Sequence, residues 1–219
     1  MNEGLWHQLT QAETAELREL GMVRRWQRGE VLFGEGERSE WVLFLLTGRV
    51  KVSTYASDGT TVVLAIRDRG SLLGELSAID REPRSATVSA LEDVSGLVVP
   101  IGSFQRFLDE HGRVAVLITR LVVARLRDAD RKRIEYGAFD TTGRVAARLL
   151  ELAERFGEQS AEGTTIMMPL SQEELAGWTG ASREAVTKAL GTLRSAGMIE
   201  TGRLKVVVRD LPGLRARAT

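Results

Sequence analysis

The segment spanning residues 170–190 constrains the fold of this chain more than any other segment does. Ser171, followed three residues later by Glu174, forms a capping box that marks the start of a helix. Gly180 stands where a turn often requires a positive φ, and Ser182 is a typical N-cap for a second helix. These signals agree with one another, and they predict a helix-turn-helix.

The second of these helices has two faces of different chemistry. Apolar residues recur at helical spacing and are predicted to face inward: Val186, Leu190 and Leu193. The outer face, near the N-terminal end, carries Arg183, Glu184, Thr187 and Lys188. Long or forked donors suit the edge of guanine and a carboxylate suits the amino group of cytosine, so this face is a candidate for contacting DNA bases. The alternative is a helical hairpin with an ordinary charged face.

Two short apolar runs follow these helices and indicate a β-hairpin. The runs are 198–201 and 204–208, and Gly202-Arg203 between them has the character of a hairpin turn. A helix-turn-helix followed by a hairpin is a winged helix, whose wing usually contacts phosphates. Arg203 on the wing and the cap residues Ser171 and Ser182 therefore join the four outer-face residues as candidate contacts to double-stranded DNA.

Composition limits the class of protein. The chain has 219 residues, no cysteine and two histidines, which excludes disulfides, iron–sulfur clusters and thiol-based sensing. No soft ligand stands near His7 or His111 in the sequence, so no metal is expected. No apolar run approaches the ~18 residues of a membrane span. The N-terminus lacks the basic and apolar regions of a signal peptide, so a cytoplasmic protein with no membrane partner is expected.

Charge is spread unevenly along the chain although the formal net charge is +0. Residues 1–112 carry more acidic than basic side chains, whereas residues 120–148 are rich in arginine. This distribution is typical of one acidic sensing domain joined to one DNA-binding domain.

The first half of the chain is rich in short β-type runs punctuated by glycine. The runs are 31–33, 41–46, 50–55, 61–66, 86–90 and 95–99. Asp58-Gly59 lies between two of them and is a hairpin signal. Many short strands with regular turns predict a sandwich or barrel of the jelly-roll kind.

A long helix is predicted over residues 113–138, because no glycine or proline interrupts the segment before Gly137. Its apolar stripe has nearly heptad spacing: Val114, Leu117, Ile118, Leu121, Val122, Arg125 and Ala129. The stripe can pack onto the barrel, but pairing with a second subunit is favoured because a dimer suits a helix-turn-helix. A hinge at Phe139-Asp140, an amphipathic helix over 142–156 and a polar loop over 158–164 follow.

A second candidate site lies in residues 74–87. Gly74 allows backbone amides to approach a ligand closely, and a short helix beginning near Glu75 presents free N–H groups to an anion. Arg84 is able to bind a phosphate bidentately, Ser85 adds a hydroxyl and an amide donor, and Glu75 accepts from a ribose hydroxyl. These residues predict a site for a phosphate and a sugar. The alternative is a surface loop whose Arg84 pairs with Glu75 or Glu82.

Three motifs in this order carry a resemblance to a known family. They are Gly74-Glu75-Leu76 with Arg84-Ser85-Ala86, residues 140–146, and Gly180-Ala181-Ser182-Arg183-Glu184. With them the chain resembles the cyclic-AMP receptor protein/FNR (Crp/Fnr) family of bacterial transcription regulators. The resemblance implies an α+β protein with three parts: a jelly-roll, double-stranded β-helix domain for a cyclic nucleotide over 1–112, a dimerisation helix and hinge over 113–139, and a winged helix-turn-helix domain over 140–219.

The same resemblance implies roles for particular residues. Glu75 would hold the ribose 2′-OH, and Arg84 and Ser85 would bind the cyclic phosphate. The remaining candidate ligand contacts are Gly74, Leu76, Ser77 and Ala86 in the cassette, and Arg125, Ala129 and Asp130 on the long helix. Arg183 and Glu184 would contact base edges. Lys188 replaces an arginine of the cyclic-AMP receptor protein, so a point charge stands where the family has a forked donor.

One departure from the family leaves the identity of the ligand open. Cyclic-AMP receptors present polar neighbours such as Thr and Ser to the adenine, whereas this chain has Ala129 and Asp130 at the matching positions. Asp130 accepts hydrogen bonds only when ionised, and it suits guanine better than adenine. The alternative is that Asp130 pairs with Arg127, Arg131 or Arg133. Cyclic AMP is the first expectation for the ligand. Cyclic GMP, a cyclic dinucleotide and a regulator without any ligand are the open alternatives.

The expected function is a homodimeric transcription regulator that binds a palindromic DNA site, is controlled by a cyclic nucleotide, and has RNA polymerase as a partner. A regulator that works without a ligand is the alternative within this class. A regulatory subunit of a cyclic-nucleotide-controlled enzyme is the alternative of another class. Catalysis is not expected, because no nucleophile–base pair or metal cluster stands out in the sequence.

Overall fold

The structure is a computed structural model that describes residues 4–167, 170–202 and 204–218. The chain forms two compact units. The first unit comprises Met1–Thr54 and Leu64–Arg127, and the second comprises Tyr55–Val63 and Asp128–Thr219. The division therefore falls within one long helix and within one hairpin.

The first unit is the predicted β-roll with helices packed on it. Its helices are α1 (Leu5–Gln8), α2 (Gln11–Leu20), α3 (Glu75–Asp80), α4 (Ile101–Glu110) and the start of α5 (Gly112–Ala138). The strands are β1 (Met22–Trp26), β2 (Val31–Phe33), β3 (Trp41–Thr47), β4 (Val50–Tyr55), β5 (Thr61–Arg67), β6 (Leu72–Leu73), β7 (Thr87–Ala90) and β8 (Val94–Pro100). They form two four-stranded sheets with the orders β1-β8-β3-β6 and β2-β7-β4-β5.

Strand β3 is buried on both of its faces, which explains its unbroken apolar sequence. Leu43 and Leu45 point between the sheets, whereas Phe44 points to the outer layer, where α4 contributes Phe104. Each fully buried Leu or Phe side chain contributes roughly 1.5–3 kcal/mol. The helices therefore belong to the core of the roll.

The apolar stripe of α5 packs on this outer layer. Val114 and Ile118 are buried in it, and Leu117 and Val122 pack against it. The preferred assignment to a seam between subunits is therefore wrong for Val114 and Ile118, which the roll already buries. The alternative of packing on the barrel is confirmed for these two residues, and Leu117 and Val122 pack on it while staying partly exposed. The outer layer of the roll needs an apolar cover, and this face of α5 supplies it.

The second unit is a winged helix. It contains α6 (Thr141–Phe156), β9 (Gly157–Ser160), β10 (Gly163–Met167), α7 (Gln172–Thr179), α8 (Arg183–Ser195), β11 (Ile199–Gly202), β12 (Lys205–Val208) and α9 (Leu211–Arg217). Its four strands follow the order β11-β12-β10-β9. The tip of the β4–β5 hairpin packs on α7, where a Cβ added at Gly177 would lie 2.3 Å from the carbonyl oxygen of Thr61.

One local prediction for this unit is wrong. The segment predicted as a polar loop over 158–164 forms the β9–β10 hairpin, because β10 pairs with buried β12 and supports a polar edge strand. Gly202, predicted with Arg203 as the turn of the wing, is the last residue of β11 and pairs with Lys205. Arg203 itself lies outside the described residues.

Side-chain hydrogen bonds fix the short connection between α5 and α6. Asp140 is the N-cap of α6, and its Oδ1 accepts from the Gly143 amide at 2.7 Å. Arg144 donates to the carbonyl oxygens of Phe139 and Thr179, each at 2.8 Å. The segment predicted as a hinge, Phe139-Asp140, thus separates α5 from α6, and hydrogen bonds hold it in place.

Within the described part of the chain, none of the helices has both the length and the apolarity needed to cross a membrane.

Candidate functional site

The cassette between β6 and β7 begins at a glycine that no other residue replaces without strain. Gly74 has a φ of 79°, in the left-handed region. A Cβ at this position would lie only 2.0 Å from Nη1 of Arg84. That nitrogen donates to the Gly74 carbonyl oxygen at 3.2 Å. The glycine therefore makes room for the arginine ten residues later.

Arg84 is the most informative side chain of the cassette. It is 3% exposed, and its Nη2 donates to the Trp41 carbonyl oxygen at 2.5 Å. Its guanidinium lies 4.2 Å from the ring centre of Phe33 and 5.0 Å from that of Trp41, which are cation–π distances. Burial lowers the pKa of Arg84, and the longer-range attraction of the Glu37 carboxylate partly offsets this by raising it.

No carboxylate in the described part of the chain forms an ion pair with Arg84, and Glu75 pairs with a different arginine. The alternative of a surface loop in which Arg84 pairs with Glu75 or Glu82 is therefore wrong. A buried charge without an ionic partner is costly. A bound anion such as a phosphate would supply the missing partner and would use the guanidinium donors that the carbonyl groups leave free.

Glu75 and Arg125 form the second buried ionic element of this site. Glu75 is 2% exposed, and its Oε1 accepts from Nη1 of Arg125 on α5. Arg125 also donates from Nη2 to the Leu72 carbonyl oxygen at 2.7 Å. The pair ties the start of α3 to α5, so a ligand that contacts Glu75 also touches the network that positions α5.

The other cassette residues divide into buried and exposed groups. Ser77 and Ala86 are buried, and Ser77 Oγ donates to the Pro83 carbonyl oxygen at 3.3 Å. Leu76 and Ser85 are exposed. The hydroxyl of Ser85 is therefore accessible to a ligand, whereas that of Ser77 stabilises the loop.

Ala129 and Asp130 belong to the second unit, and both are exposed. The expected alternative, in which Asp130 pairs with a neighbouring arginine, is wrong: in the described chain Arg131 pairs with Asp128, and Asp130 forms no ion pair. Lys132 also donates to Asp128, at 2.8 Å. The Asp130 carboxylate is thus available to a partner.

The helix-turn-helix has the predicted geometry. Ser171 Oγ accepts from the Glu174 amide at 3.1 Å, and the Glu174 carboxylate accepts from the Ser171 amide at 2.8 Å. Gly180 ends α7 with a φ of 58°, and Ser182 Oγ accepts from the Ala185 amide at 3.2 Å. The predicted caps are confirmed, and the hydroxyls of both serines serve the helices.

Helix α8 presents its polar face outward. Val186, Leu190 and Leu193 are buried as predicted. The residues Arg183, Glu184, Thr187 and Lys188 are all exposed. The Thr187 hydroxyl lies 3.0 Å from Oε1 of Gln172, which links α8 to α7.

The charged residues of this face keep their charges available. Hydrogen bonds from the Glu184 amide and from Ser182 lower the pKa of Glu184, which keeps this carboxylate ionised. No ion pair of Arg183 or Lys188 occurs among the residues that the structure describes, so both cations are available.

A cluster of residues that the sequence analysis did not identify connects the end of α5 to α7. Trp178 is 2% exposed, and the cationic groups of Lys132 and Arg148 lie 5.8 Å and 5.6 Å from the centre of its ring. Arg148 is itself 3% exposed and pairs with Glu135 and Glu151. The hydroxyl of Tyr136 donates to the Trp178 carbonyl oxygen at 3.1 Å. The four charges and two aromatic rings join residues far apart in the sequence, so no local pattern reports them.

Comparisons with known proteins agree with this architecture. Residues 23–111 match the cyclic nucleotide-binding domain, and residues 143–217 match the Crp-like helix-turn-helix domain. The CRP-like cAMP-activated global transcriptional regulator of Mycobacterium tuberculosis is 31% identical over 87% of this chain and 85% of its own length. The global nitrogen regulator of a Nostoc species is 30% identical over 85% of each chain. The structure of FixK2 from Bradyrhizobium japonicum superposes with a TM-score of 0.81 at 24% identity and covers 91% of this chain and 98% of its own.

A β-roll nucleotide-binding domain followed by a winged helix defines a ligand-controlled DNA-binding regulator. The chain belongs to the Crp/Fnr family of transcription regulators, and it is not an enzyme. The interpretation as a subunit of a cyclic-nucleotide-controlled enzyme is therefore set aside.

Proposed function

We propose that this regulator is a homodimer that binds cyclic AMP in its cassette. With the nucleotide bound, the dimer recognises a palindromic DNA site, and RNA polymerase is its further partner. The observation that carries the ligand proposal is Arg84, a buried guanidinium without an ionic partner in the described chain. A cyclic phosphate has one negative charge and two free oxygens, which suit a forked donor. The relative named as cAMP-activated supports adenine as the base.

Cyclic GMP is the second candidate, and Asp130 favours it. Guanine presents N1–H and N2–H₂ side by side, and an ionised carboxylate accepts from both donors. Asp130 is exposed and forms no ion pair within the described residues, whereas Ala129 offers no hydrogen bond to any base. Relatives of nearly equal identity carry different names, so family membership alone does not select the ligand.

The dimer proposal rests on a row of apolar residues on α5 that points away from the roll. Val116 is 51% exposed, Val123 is 41% exposed and Leu126 is 61% exposed. Their spacings of seven and three residues are those of a coiled-coil seam. Exposed apolar residues in such a row gain free energy when a second copy of the helix covers them.

The DNA proposal rests on the exposed cations of α8. Two such helices related by a dimer axis contact successive major grooves, which are ~34 Å apart along the duplex, and a palindromic site follows from this symmetry. The wing adds phosphate contacts that carry no sequence information, for which Arg203 is the candidate.

Calorimetry with cyclic AMP, cyclic GMP and cyclic di-GMP tests the ligand on the wild type and on Asp130→Ser. We expect cyclic AMP to bind most tightly and Asp130→Ser to improve its affinity. A cyclic GMP preference that Asp130→Ser erases would assign guanine recognition to Asp130. If the wild type binds no nucleotide at millimolar concentration and still finds its DNA site, the nucleotide proposal is wrong.

Light scattering on Leu126→Glu tests the dimer, because burying a glutamate in an apolar seam costs several kcal/mol. The matched control is Val23→Glu, an equally accessible apolar residue on β1 that is 57% exposed. We expect the first variant to be monomeric at micromolar concentration and the control to be dimeric. A dimeric Leu126→Glu would remove this row from the interface.

A further inference from the structure

His111, Glu16 and Glu110 lie together in the first unit, and none of the three belongs to the nucleotide cassette. Glu16 is on α2, Glu110 is the last residue of α4, and His111 follows it as the C-cap. One ligand atom from each of the three residues lies within 4.8 Å of the other two. His111 Nε2 is 2.9 Å from Oε2 of Glu16, although the two residues are 95 positions apart.

The imidazole of His111 is held in place by the core. Its ring lies 4.4 Å from the ring of Phe107, centre to centre, and Phe107 is 1% exposed. Its backbone amide donates to the Phe107 carbonyl oxygen at 2.9 Å. Glu16 precedes Leu17, which is fully buried, so the backbone of α2 is anchored at the same place. The imidazole and the first carboxylate are therefore positioned before any ligand arrives.

Arg113, two residues after His111, is already neutralised. Arg113 donates to both carboxylate oxygens of Glu13, at 2.8 Å and 3.0 Å, and to the Gln8 carbonyl oxygen at 2.7 Å. Glu16 and Glu110 contribute two negative charges that this arginine does not pair with. The local charge therefore favours a cation.

We infer that these three residues bind a first-row divalent metal ion of the Zn²⁺ class. One imidazole nitrogen and two carboxylate oxygens form a mixed donor set that suits such ions better than Mg²⁺ or Ca²⁺. With Zn–N and Zn–O bonds of ~2.1 Å, tetrahedral ligand atoms are roughly 3.4 Å apart. The 2.9 Å pair must open slightly and the Glu110 carboxylate must approach, which its exposed side chain permits.

Metal binding replaces a proton at this site. One proton lies in the hydrogen bond between His111 Nε2 and Glu16 Oε2. The ion takes the nitrogen lone pair and the carboxylate oxygen, and the proton leaves to solvent. The bound ion would join α2 to the end of α4 at the residue that precedes α5. This proposal replaces the expectation, drawn from the sequence, that neither histidine ligates a metal.

Long-range ¹H–¹⁵N spectra of the full-length protein during titration with Zn²⁺ test the site directly. The chain has only two histidines and no cysteine, so His7 serves as the internal control. We expect the His111 ring signals to shift and to saturate at one equivalent, while those of His7 stay in place. An unshifted His111 ring at 1 mM Zn²⁺, on the order of the weakest specific affinities, would overturn the proposal.

Variants identify the other two ligands. We expect Glu16→Gln and Glu110→Gln each to lower the Zn²⁺ affinity at least ~10-fold, because each removes a charged ligand. Glu19→Gln is the matched control, because Glu19 is an exposed residue one helical turn after Glu16 on α2. This variant should bind Zn²⁺ as tightly as the wild type does. Wild-type affinity in either ligand variant, or an equal loss in the control, would show that the three residues are not a metal site. All of these side chains are partly or fully exposed, so the variants are expected to fold.

Discussion

The cassette and the recognition helix use charged side chains in opposite ways. Arg84 and Glu75 are almost fully buried and are held by carbonyl groups, aromatic rings and Arg125. Arg183 and Lys188 are exposed and form no ion pairs in the described chain. A small ligand that is enclosed needs donors fixed in advance, whereas the long surface of DNA is met by side chains that order when it binds.

This contrast predicts that single substitutions have unequal effects. In a dry site each charge-assisted hydrogen bond is strong and water does not replace it. On an exposed face, water and salt ions compensate for much of a lost contact. A substitution in the cassette should therefore cost more binding free energy than one on α8.

The largest effect is expected for Arg84→Leu. Leucine keeps apolar contact with Phe33 and Trp41 but removes the only buried cation that lacks an ionic partner in the described cassette. We expect at least ~3 kcal/mol of lost nucleotide binding, a factor of about 150, by calorimetry. Arg81→Leu removes an exposed charge from the same loop and should change affinity less than threefold, about 0.6 kcal/mol. Equal losses in both variants would mean that the loop acts only through its overall charge.

A smaller effect is expected for Arg183→Ala on the recognition helix. An exposed base contact is worth roughly 1–3 kcal/mol, and we expect about 1.5 kcal/mol together with a relaxed preference at one base pair. Arg203→Ala on the wing should weaken all sequences alike and reduce the salt dependence. Binding selections on random oligonucleotides measure both. Arg183 would be excluded from base recognition if its variant lost the same affinity on specific and random DNA.

A stability effect of about 1 kcal/mol is expected for Ser182→Ala, because the variant loses the hydrogen bond from the Ala185 amide. The cost should appear in urea unfolding of the second unit and leave nucleotide binding unchanged. Ser85→Ala is the control and should leave the unfolding free energy unchanged, since Ser85 is exposed in the cassette and caps no helix. A Ser182→Ala variant as stable as the wild type would show that α8 does not depend on this cap.

The smallest effect concerns pH and the exposed pair of Asp140 and Arg217. The Arg217 hydrogen bonds, with that of the Gly143 amide, hold the pKa of Asp140 below its ordinary value of 3.8. A carboxyl whose pKa is lowered on folding stabilises the fold above its ordinary pKa and loses that contribution as the pH falls through the lower value. Because the pair is largely exposed, we expect less than ~1 kcal/mol. The difference in unfolding free energy between wild type and Asp140→Asn should be present at pH 7 and disappear as the pH falls through the lowered pKa of Asp140. A difference that is constant over this range would mean that the charge plays no part.

Much of the fold is predictable from the sequence because its signals are local. Residues within a few positions of one another predict the caps at Ser171 and Ser182, the turn at Gly180 and eight of the strands. The sequence does not predict strands β1, β6, β9 and β10. Four of the five residues of β1 are exposed, and β9 is polar and mostly exposed, so neither shows apolar alternation. Their pairing with β8 and β10 is what makes them strands.

The candidate site was predictable in part. The cassette motif identifies Glu75 and Arg84, but their partners come from distant segments: Trp41 for Arg84 and Arg125 for Glu75. The same limit applies to α5, whose apolar spacing is equally compatible with the roll and with a second subunit. Only the packing of Val114 and Ile118 on the roll separates the two faces of this helix.

The central claim is that a nucleotide in the cassette controls DNA binding by α8. Fluorescence anisotropy on the selected DNA site, at fixed salt and with and without cyclic AMP, tests it most directly. We expect the nucleotide to increase DNA affinity at least ~10-fold, a coupling free energy of about 1.4 kcal/mol, and Arg84→Leu to abolish the increase without changing the nucleotide-free affinity. Equal DNA affinity with and without cyclic AMP, cyclic GMP and cyclic di-GMP at millimolar concentration would contradict the account.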